Sequence, residues 1–308
     1  MERRRIGSLD VSVVGMGCNN FGTRLDEAAT ARVVHAALDR GVVLFDTADT
    51  YGRGQSETYL GAALRGRRDD AVIATKFGMP MDDARRGAHP DYVRRAVEDS
   101  LRRLGTDRID LYQIHQPDPT VPIADTLGAL DDLVRAGKVR EIGCSNFSAA
   151  QLREADDVAA SRGAARFASV QNQYSLLHRE PETGVLAECE RTGTGFLPYY
   201  PLANGLLTGK YHRGEAPPPG TRLADPKRAE QFTDEKLARM EALRAFAAAR
   251  GRELLELAFA WLLARPVVSS VIAGATKPEQ VAANASAAGW TLGAGDLEAI
   301  DAIVAPPE

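Results

Sequence analysis

The sequence predicts one domain spanning residues 1–308, built as a (β/α)8 or TIM barrel, and three observations lead there. Eight short apolar runs, rich in Val, Ile and Leu with little alternation, recur along the chain, as strands buried on both faces should. Amphipathic, helix-like stretches separate them almost throughout, and eight such units fit a closed barrel better than an open doubly wound sheet. Hydrophobic residues make up 44% of the chain, ample for one large core.

In chain order, the opening "RRRIGSLDVSVV" places a Gly-Ser-Leu-Asp turn between two β-prone runs, which predicts a hairpin capping the barrel floor. The eight strands are expected at 13–17, 42–46, 71–76, 109–115, 139–145, 168–173, 195–199 and 270–274. Helices are expected over 26–40, 55–65, 90–104, 121–136, 148–160, 184–192, 233–251 and 278–288. Pro122 and Pro278 stand near helix starts, and Gly41, Gly105 and Gly137 follow helix ends. The segment 209–232, with four prolines, is too long and irregular for an ordinary connection. Because it follows strand seven, it is expected to lie over the barrel mouth, where active sites of this fold are built.

Composition narrows the function classes. A formal charge of −4 and a pI near 5.8, with no Lys/Arg stripe, argue against a nucleic-acid binder. The first residues lack the apolar run of a signal peptide, and no stretch approaches a membrane span of about 20 apolar residues. Cys18, Cys144 and Cys189 form no CxxC pair, which suits a reducing cytoplasm. The sequons at Asn146 and Asn284 are therefore read as chance. Five histidines without HExxH or similar spacing give no metal site.

Chemistry enters at the strand ends. Asp46 ends strand two, Tyr51 lies in the loop after it, Lys76 ends strand three and His115 ends strand four. Consecutive barrel strands are neighbours, so the four should meet at one corner of the mouth. A lysine near the interior tends to lose its proton unless a carboxylate holds the charge, and Asp46 is positioned to hold it. A free tyrosine has a pKa of about 10. A cation about 4 Å away at an effective dielectric near 20 is worth at most about 4 kcal/mol, opposed in part by desolvation of the tyrosinate, and even a fraction of it would make Tyr51 a better proton donor. His115 could hydrogen-bond the same carbonyl oxygen. Such an acid needs a reductant, and a nicotinamide hydride is the natural one. Taken singly, each residue has an ordinary explanation: a loop acid, a rim tyrosine, a solvated lysine, a core histidine. Four at the ends of consecutive units do not.

The blocks "FDTADTYGRGQSE", "IATKFG", "DLYQIHQPD", "VREIGCSNFS", "VQNQYSLL", "PYYPLANGLLTGKY" and "VIAGATKPEQVAAN" occur in an order that resembles the aldo-keto reductase family along almost the whole chain. The resemblance implies an NAD(P)H-dependent reductase of small-molecule aldehydes or ketones, with Tyr51 as acid and Asp46, Lys76 and His115 in support. It also implies where the dinucleotide lies. Ser145, Asn146 and Gln171 would hydrogen-bond the nicotinamide carboxamide, Tyr199 would stack on the ring, and Gly17 and Cys18 would lie under the ribose. Leu202, Gly205, Leu207 and Lys210, in "LANGLLTGK", would cradle the pyrophosphate. Gly274 leads into the last helix, where Thr276, Lys277 and Gln280 would meet a 2′-phosphate and Asn284 the adenine. "GMGCNNFG" only begins like a Rossmann fingerprint: Asn20 stands in place of the third glycine.

The chain departs from that pattern at several positions. Tyr200 replaces a common serine, Gln280 a common arginine, Ala283 a common glutamate, and Gln116 a tryptophan of other branches. NADPH is still expected over NADH, because Lys277 keeps a cation at the 2′ end. Substrate choice is expected in loops 19–24, 78–89, 116–120 and 214–232, and the oligomeric state is left open. Two other readings compete. One is a cofactor-binding regulatory subunit with little turnover, as in potassium-channel β subunits that resemble this family. The other is an aldolase using Lys76 as a Schiff-base amine.

Overall fold

In the computed structural model, which describes residues 1–225 and 233–305, eight parallel strands form a nearly closed barrel with helices between them. An antiparallel hairpin of β1 (Arg3–Ile6) and β2 (Leu9–Ser12) comes first. The barrel strands are β3 (Val14–Gly17), β4 (Leu44–Asp46), β5 (Val72–Phe77), β6 (Ile109–Ile114), β7 (Val139–Ser145), β8 (Phe167–Gln173), β9 (Gly195–Tyr199) and β10 (Val271–Gly274). Their spatial order is β10-β3-β4-β5-β6-β7-β8-β9, and every paired neighbour is parallel. The ring is sealed just before β10: Phe196 N–H donates to Val267 O at 2.8 Å, and Ser269 N–H donates to Phe196 O at 3.0 Å.

Helices α1 (Glu27–Leu38), α2 (Gln55–Ala63), α3 (Pro90–Leu104), α4 (Ile123–Arg135), α5 (Ala149–Arg162) and α6 (Val185–Thr192) lie where periodicity places them. Local chemistry sets their ends. The Asp26 carboxylate caps α1 by accepting Ala29 N–H at 2.8 Å. Ser148 and Gln151 form a capping box on α5. Gly105 ends α3 with a left-handed φ of 63° that residues with a Cβ avoid.

The C-terminal third differs from expectation. One helix was expected over 233–251; α7 (Asp234–Ala248) is followed by a separate α8 (Leu254–Leu263) that the periodicity does not reveal. Its "LLELAFAWLL" is apolar nearly all round, and a helix of that kind is buried on every side. Leu257, Phe259, Trp261 and Leu262 are indeed sunk in the core. After α9 (Pro278–Ala287) comes α10 (Ala294–Val304), again outside the expected set. Of the long segment 209–232, residues 226–232 lie outside the described residues; the remainder holds only a short 3-10 turn at 222–224.

The hairpin closes the barrel floor. Ile6, Leu9 and Val11 pack with the inward-facing Leu44, Ala74, Leu111, Leu197 and Ile272 as a core distinct from the main one. Arg4 clasps the far end of the chain, donating to the carbonyls of Leu263, Arg265 and Val268 at 2.9, 3.2 and 2.6 Å. Glu141 of β7 accepts Ser8 N–H at 2.7 Å. Removing part of this plug should be felt globally. Leu9→Ala is expected to cost about 2–5 kcal/mol, read as a lowered urea midpoint with native circular dichroism retained. A loss below about 1 kcal/mol would mean the hairpin is not part of the cooperative core.

Candidate active site

Strand geometry turns the apolar floor into a polar mouth. Side chains two residues apart share a face, so the inward Leu44, Ala74 and Leu111 are followed inward by Asp46, Lys76 and Gln113. Asp46 and Lys76 form the central contact: Nζ donates to Oδ1 and Oδ2, each at 2.7 Å, and to Thr47 O at 2.9 Å. Lys76 is fully buried and Asp46 is 3% exposed. Two neutral amides complete the carboxylate's coordination, Gln171 Nε2 at 2.9 Å and Gln113 Nε2 at 3.3 Å from Oδ1. Neither Gln113 nor this use of Gln171 was foreseen, although their inward register two residues from the strand ends was a readable signal.

Tyr51 opens a short 3-10 turn, Tyr51–Gly54, held tight by positive φ at Gly52 and Arg53. Its ring lies edge-to-face with His115, centroids 5.8 Å apart, and Lys76 Nζ is 5.4 Å from its centroid. The four residues therefore meet at one corner. The expectation that Lys76 acidifies Tyr51 is overturned. Burial first and the Asp46 charge second push the phenol well above the ordinary tyrosine value, with Tyr200, Cys18 and Tyr199 adding to the effect. The reason is that a phenolate there would be out of water and beside the Asp46 carboxylate, whose own charge is bound to Lys76. His115 is pushed down to about 3 by burial and then by the Lys76 charge, so it is neutral at physiological pH. Its Nδ1 is buried without a partner among the described residues.

These groups open into a cavity of about 890 Å³. Asp46, Tyr51 and His115 line one end, with Lys76 beneath. Gly17, Cys18, Ser145, Asn146, Gln171 and Tyr199 line the middle. Leu202, Gly205 and Lys210 line it too, as do Gly274, Thr276, Lys277, Gln280 and Asn284. Leu207 does not belong with them. It is fully buried in the hydrophobic core, because the turn Ala203–Thr208 sends Asn204, Gly205 and Thr208 to the cavity and Leu206 and Leu207 inward.

The middle wall is one hydrogen-bonded chain. Tyr199 hydroxyl donates to Asn146 Oδ1 at 2.8 Å, Asn146 Nδ2 to His115 O at 2.9 Å, and Ser145 Oγ to Gln171 O at 2.7 Å. Backbone strain gathers here: Asn146, Tyr200, Ala203 and Asn204 all hold φ between 46° and 62°, which side chains with a Cβ rarely adopt. Gly17 and Gly274 face each other in register across the seam of β3 and β10. A Cβ on Gly17 would meet Ile272 Cγ2 at 3.3 Å, and one on Gly274 would meet Asn20 Nδ2 at 3.3 Å.

Of the loops expected to choose substrate, Asn19, Asn20, Arg24, Met79 and Pro219–Thr221 reach this cavity, and Arg24 Nη2 donates to Gly220 O across it at 3.4 Å. Residues 117–120 instead line a separate cavity of about 360 Å³ between α4 and α5. Thr50 and Leu255 also line the main cavity; Leu255 was missed together with its helix.

The sequence pattern that defines the Aldo/keto reductase family matches residues 13–305. The aldo-keto reductase YhdN of Bacillus subtilis (strain 168) is 37% identical over 310 residues, covering 96% of this chain and 91% of that protein. Protein tas of Escherichia coli (strain K12) is 33% identical, covering 98% and 97%. The solved structure of glycerol dehydrogenase AKR11B4 from Gluconobacter oxydans superposes with a TM-score of 0.84 at 34% identity, covering 98% of this chain and 94% of that one.

Behind the strand ends lies a buried acid layer. Glu57, fully buried, accepts Thr75 Oγ1 and Arg103 Nε, each at 2.6 Å. Asp49, 1% exposed, accepts the Tyr92 hydroxyl at 3.4 Å on one oxygen and leaves the other without a partner among the described residues. Its backbone N–H donates to Lys76 O at 3.1 Å. Burial first and the Glu57 charge second raise the Asp49 carboxyl from 3.8 to about 7, against the opposing Arg103. The folded state thus holds this proton more tightly than the unfolded chain. The resulting stability is complete below the ordinary carboxyl range and is lost as pH rises toward about 7. His115 contributes the opposite slope, losing stability as pH falls below its ordinary value. Asp49→Asn, a neutral isostere, should therefore gain stability relative to wild type between pH 5 and pH 8 in urea titrations. A difference that does not change with pH would show that Asp49 is ionised throughout.

Proposed function

The chain belongs to the aldo/keto reductase family, an NAD(P)H-dependent oxidoreductase of carbonyl compounds, and on that premise we propose that it reduces an aldehyde or ketone with NADPH, Tyr51 serving as the proton donor. The observation that carries this reading is the meeting of Tyr51, His115 and the Asp46–Lys76 pair at one end of a long cavity.

The residues present suit a dinucleotide. The cavity runs from Tyr51 past the Tyr199 ring to the start of α9, and Asn284 Nδ2 is a buried donor there without a partner among the described residues. Bound in this cavity, the reduced nicotinamide would supply the hydride. Tyr199 would offer a flat face to it, Ser145, Asn146 and Gln171 would orient its carboxamide, and Gly17 and Cys18 would underlie its ribose. Leu202, Gly205 and Lys210 would flank the pyrophosphate, and Asn284 would meet the adenine.

The chain's own chemistry then follows from charge. Tyr51 keeps its proton at neutral pH, so it is fully loaded as an acid when negative charge develops on a substrate oxygen. Neutral His115 can hydrogen-bond the same oxygen and orient it without competing as an acid. Lys76 balances the Asp46 charge beneath the reacting centre. We read the protein as a single-domain cytoplasmic enzyme, in keeping with three free, buried cysteines. Among the described residues no helix is long and apolar enough to cross a membrane.

Tyr51→Phe removes the donated proton and little else. Turnover with carbonyl substrates should fall by about 10²–10⁴-fold, while dinucleotide affinity, read by protein fluorescence, changes little. Undiminished turnover would remove Tyr51 from the chemistry. For the cofactor, Lys277 should give NADPH a higher kcat/KM than NADH by roughly tenfold, as one charge-assisted contact would. Lys277→Ala should erase that preference, whereas a wild-type preference for NADH would overturn it.

A further inference from the structure

The start of α9 carries an arrangement with consequences for which dinucleotide the cavity accepts. Gln280 Oε1 accepts both donors of Thr276, the backbone N–H at 2.7 Å and the hydroxyl at 3.1 Å. Other donors of the helix start are few: Pro278 has no N–H, and Gln280 N–H is bonded to Lys277 O at 3.1 Å. Thr276, Lys277, Gln280 and Asn284 all line the main cavity. Gln280 and Asn284 are four residues apart and so share one helix face. Asn284 is 5% exposed, and its unpartnered Nδ2 marks this face as one that receives a ligand, independently of the helix end.

We propose that Gln280 is a selectivity residue that works by occupation: its amide oxygen sits on the Thr276 donors that a 2′-phosphate would otherwise take, which narrows the preference for phosphorylated over unphosphorylated dinucleotide. The inference rests on the cofactor reading above and reverses one detail of it, since Gln280 had been expected to contact the phosphate. A dinucleotide with a plain 2′-hydroxyl leaves the Gln280–Thr276 pair in place. A phosphorylated one must displace it. Charge-assisted bonds are stronger than neutral ones, so displacement is possible, but the gain is the difference between the two sets of bonds and not the full value of the new set. Lys277, exposed and without a side-chain role in capping α9, supplies the attraction that remains.

The test is direct titration of wild type, Gln280→Ala and Gln280→Met with NADPH and with NADH, following protein fluorescence. Gln280 is exposed, and the Met variant keeps its length with only a weakly accepting sulfur in place of the amide oxygen, so neither change threatens folding. The affinity ratio of NADPH to NADH should rise by about 3–10-fold in both variants, the worth of one to two freed neutral hydrogen bonds. A ratio that falls, through weakened NADPH alone, would make Gln280 a phosphate ligand and overturn the proposal; an unchanged ratio would do the same. Failure of the wild-type protein to bind either dinucleotide is a separate result. It would bring down the cofactor reading itself, and this inference with it.

Discussion

Two opposite charges buried in the mouth of a barrel are the constraint around which the rest is arranged. An ammonium with no access to water is tolerable only when every proton it carries is taken and its charge is balanced. Asp46 and the Thr47 carbonyl meet that demand in full, and the amides of Gln113 and Gln171 in turn satisfy the carboxylate. Four strands thereby converge on one point. Burial beside the Asp46 carboxylate leaves Tyr51 as a tightly held phenol. The charges at the site are thus balanced within it, Lys76 against Asp46.

Much of this was legible in the sequence because the strands are buried on both faces. Continuous Val/Ile/Leu runs marked all eight barrel strands to within two residues, and the polar Asp46, Lys76 and His115, at or beside the ends of β4, β5 and β6, announced the mouth. What remained hidden has specific causes. Helix α8 is apolar all round, so no amphipathic period betrays it. Leu207 sits beside glycines in a segment whose turns alternate between cavity and core, and one-dimensional adjacency could not say which way it faced. The direction of the Tyr51 shift depended on how deeply the phenol is buried and how near it lies to Asp46, which are three-dimensional facts. Gln280 illustrates the same limit, since a residue type suited to holding a phosphate is equally suited to imitating one.

The wall between the two ends of the cavity is more than lining. Tyr199, Asn146, Ser145 and Gln171 form a run of hydrogen bonds that begins at the surface expected to receive the nicotinamide and ends on Asp46. Left-handed backbone at Asn146, Tyr200, Ala203 and Asn204 lies along the same wall. Conformations that side chains with a Cβ disfavour persist only where neighbours over-determine them. The wall is therefore stiff before any ligand arrives, which reduces the ordering required on binding.

The hairpin beneath the barrel ties together segments far apart along the chain. Arg4 grips carbonyls more than 250 positions further along, in the very segment that seals β9 to β10. The seat for residues 3–12 is complete only once residues 263–268 are in place. Contacts so distant along the chain make for slow closure. Until that closure Ile6, Leu9 and Val11 lack the apolar surface of Leu44, Ala74, Leu111, Leu197 and Ile272 that covers them in the finished barrel, so the floor is the last part of the core to dry.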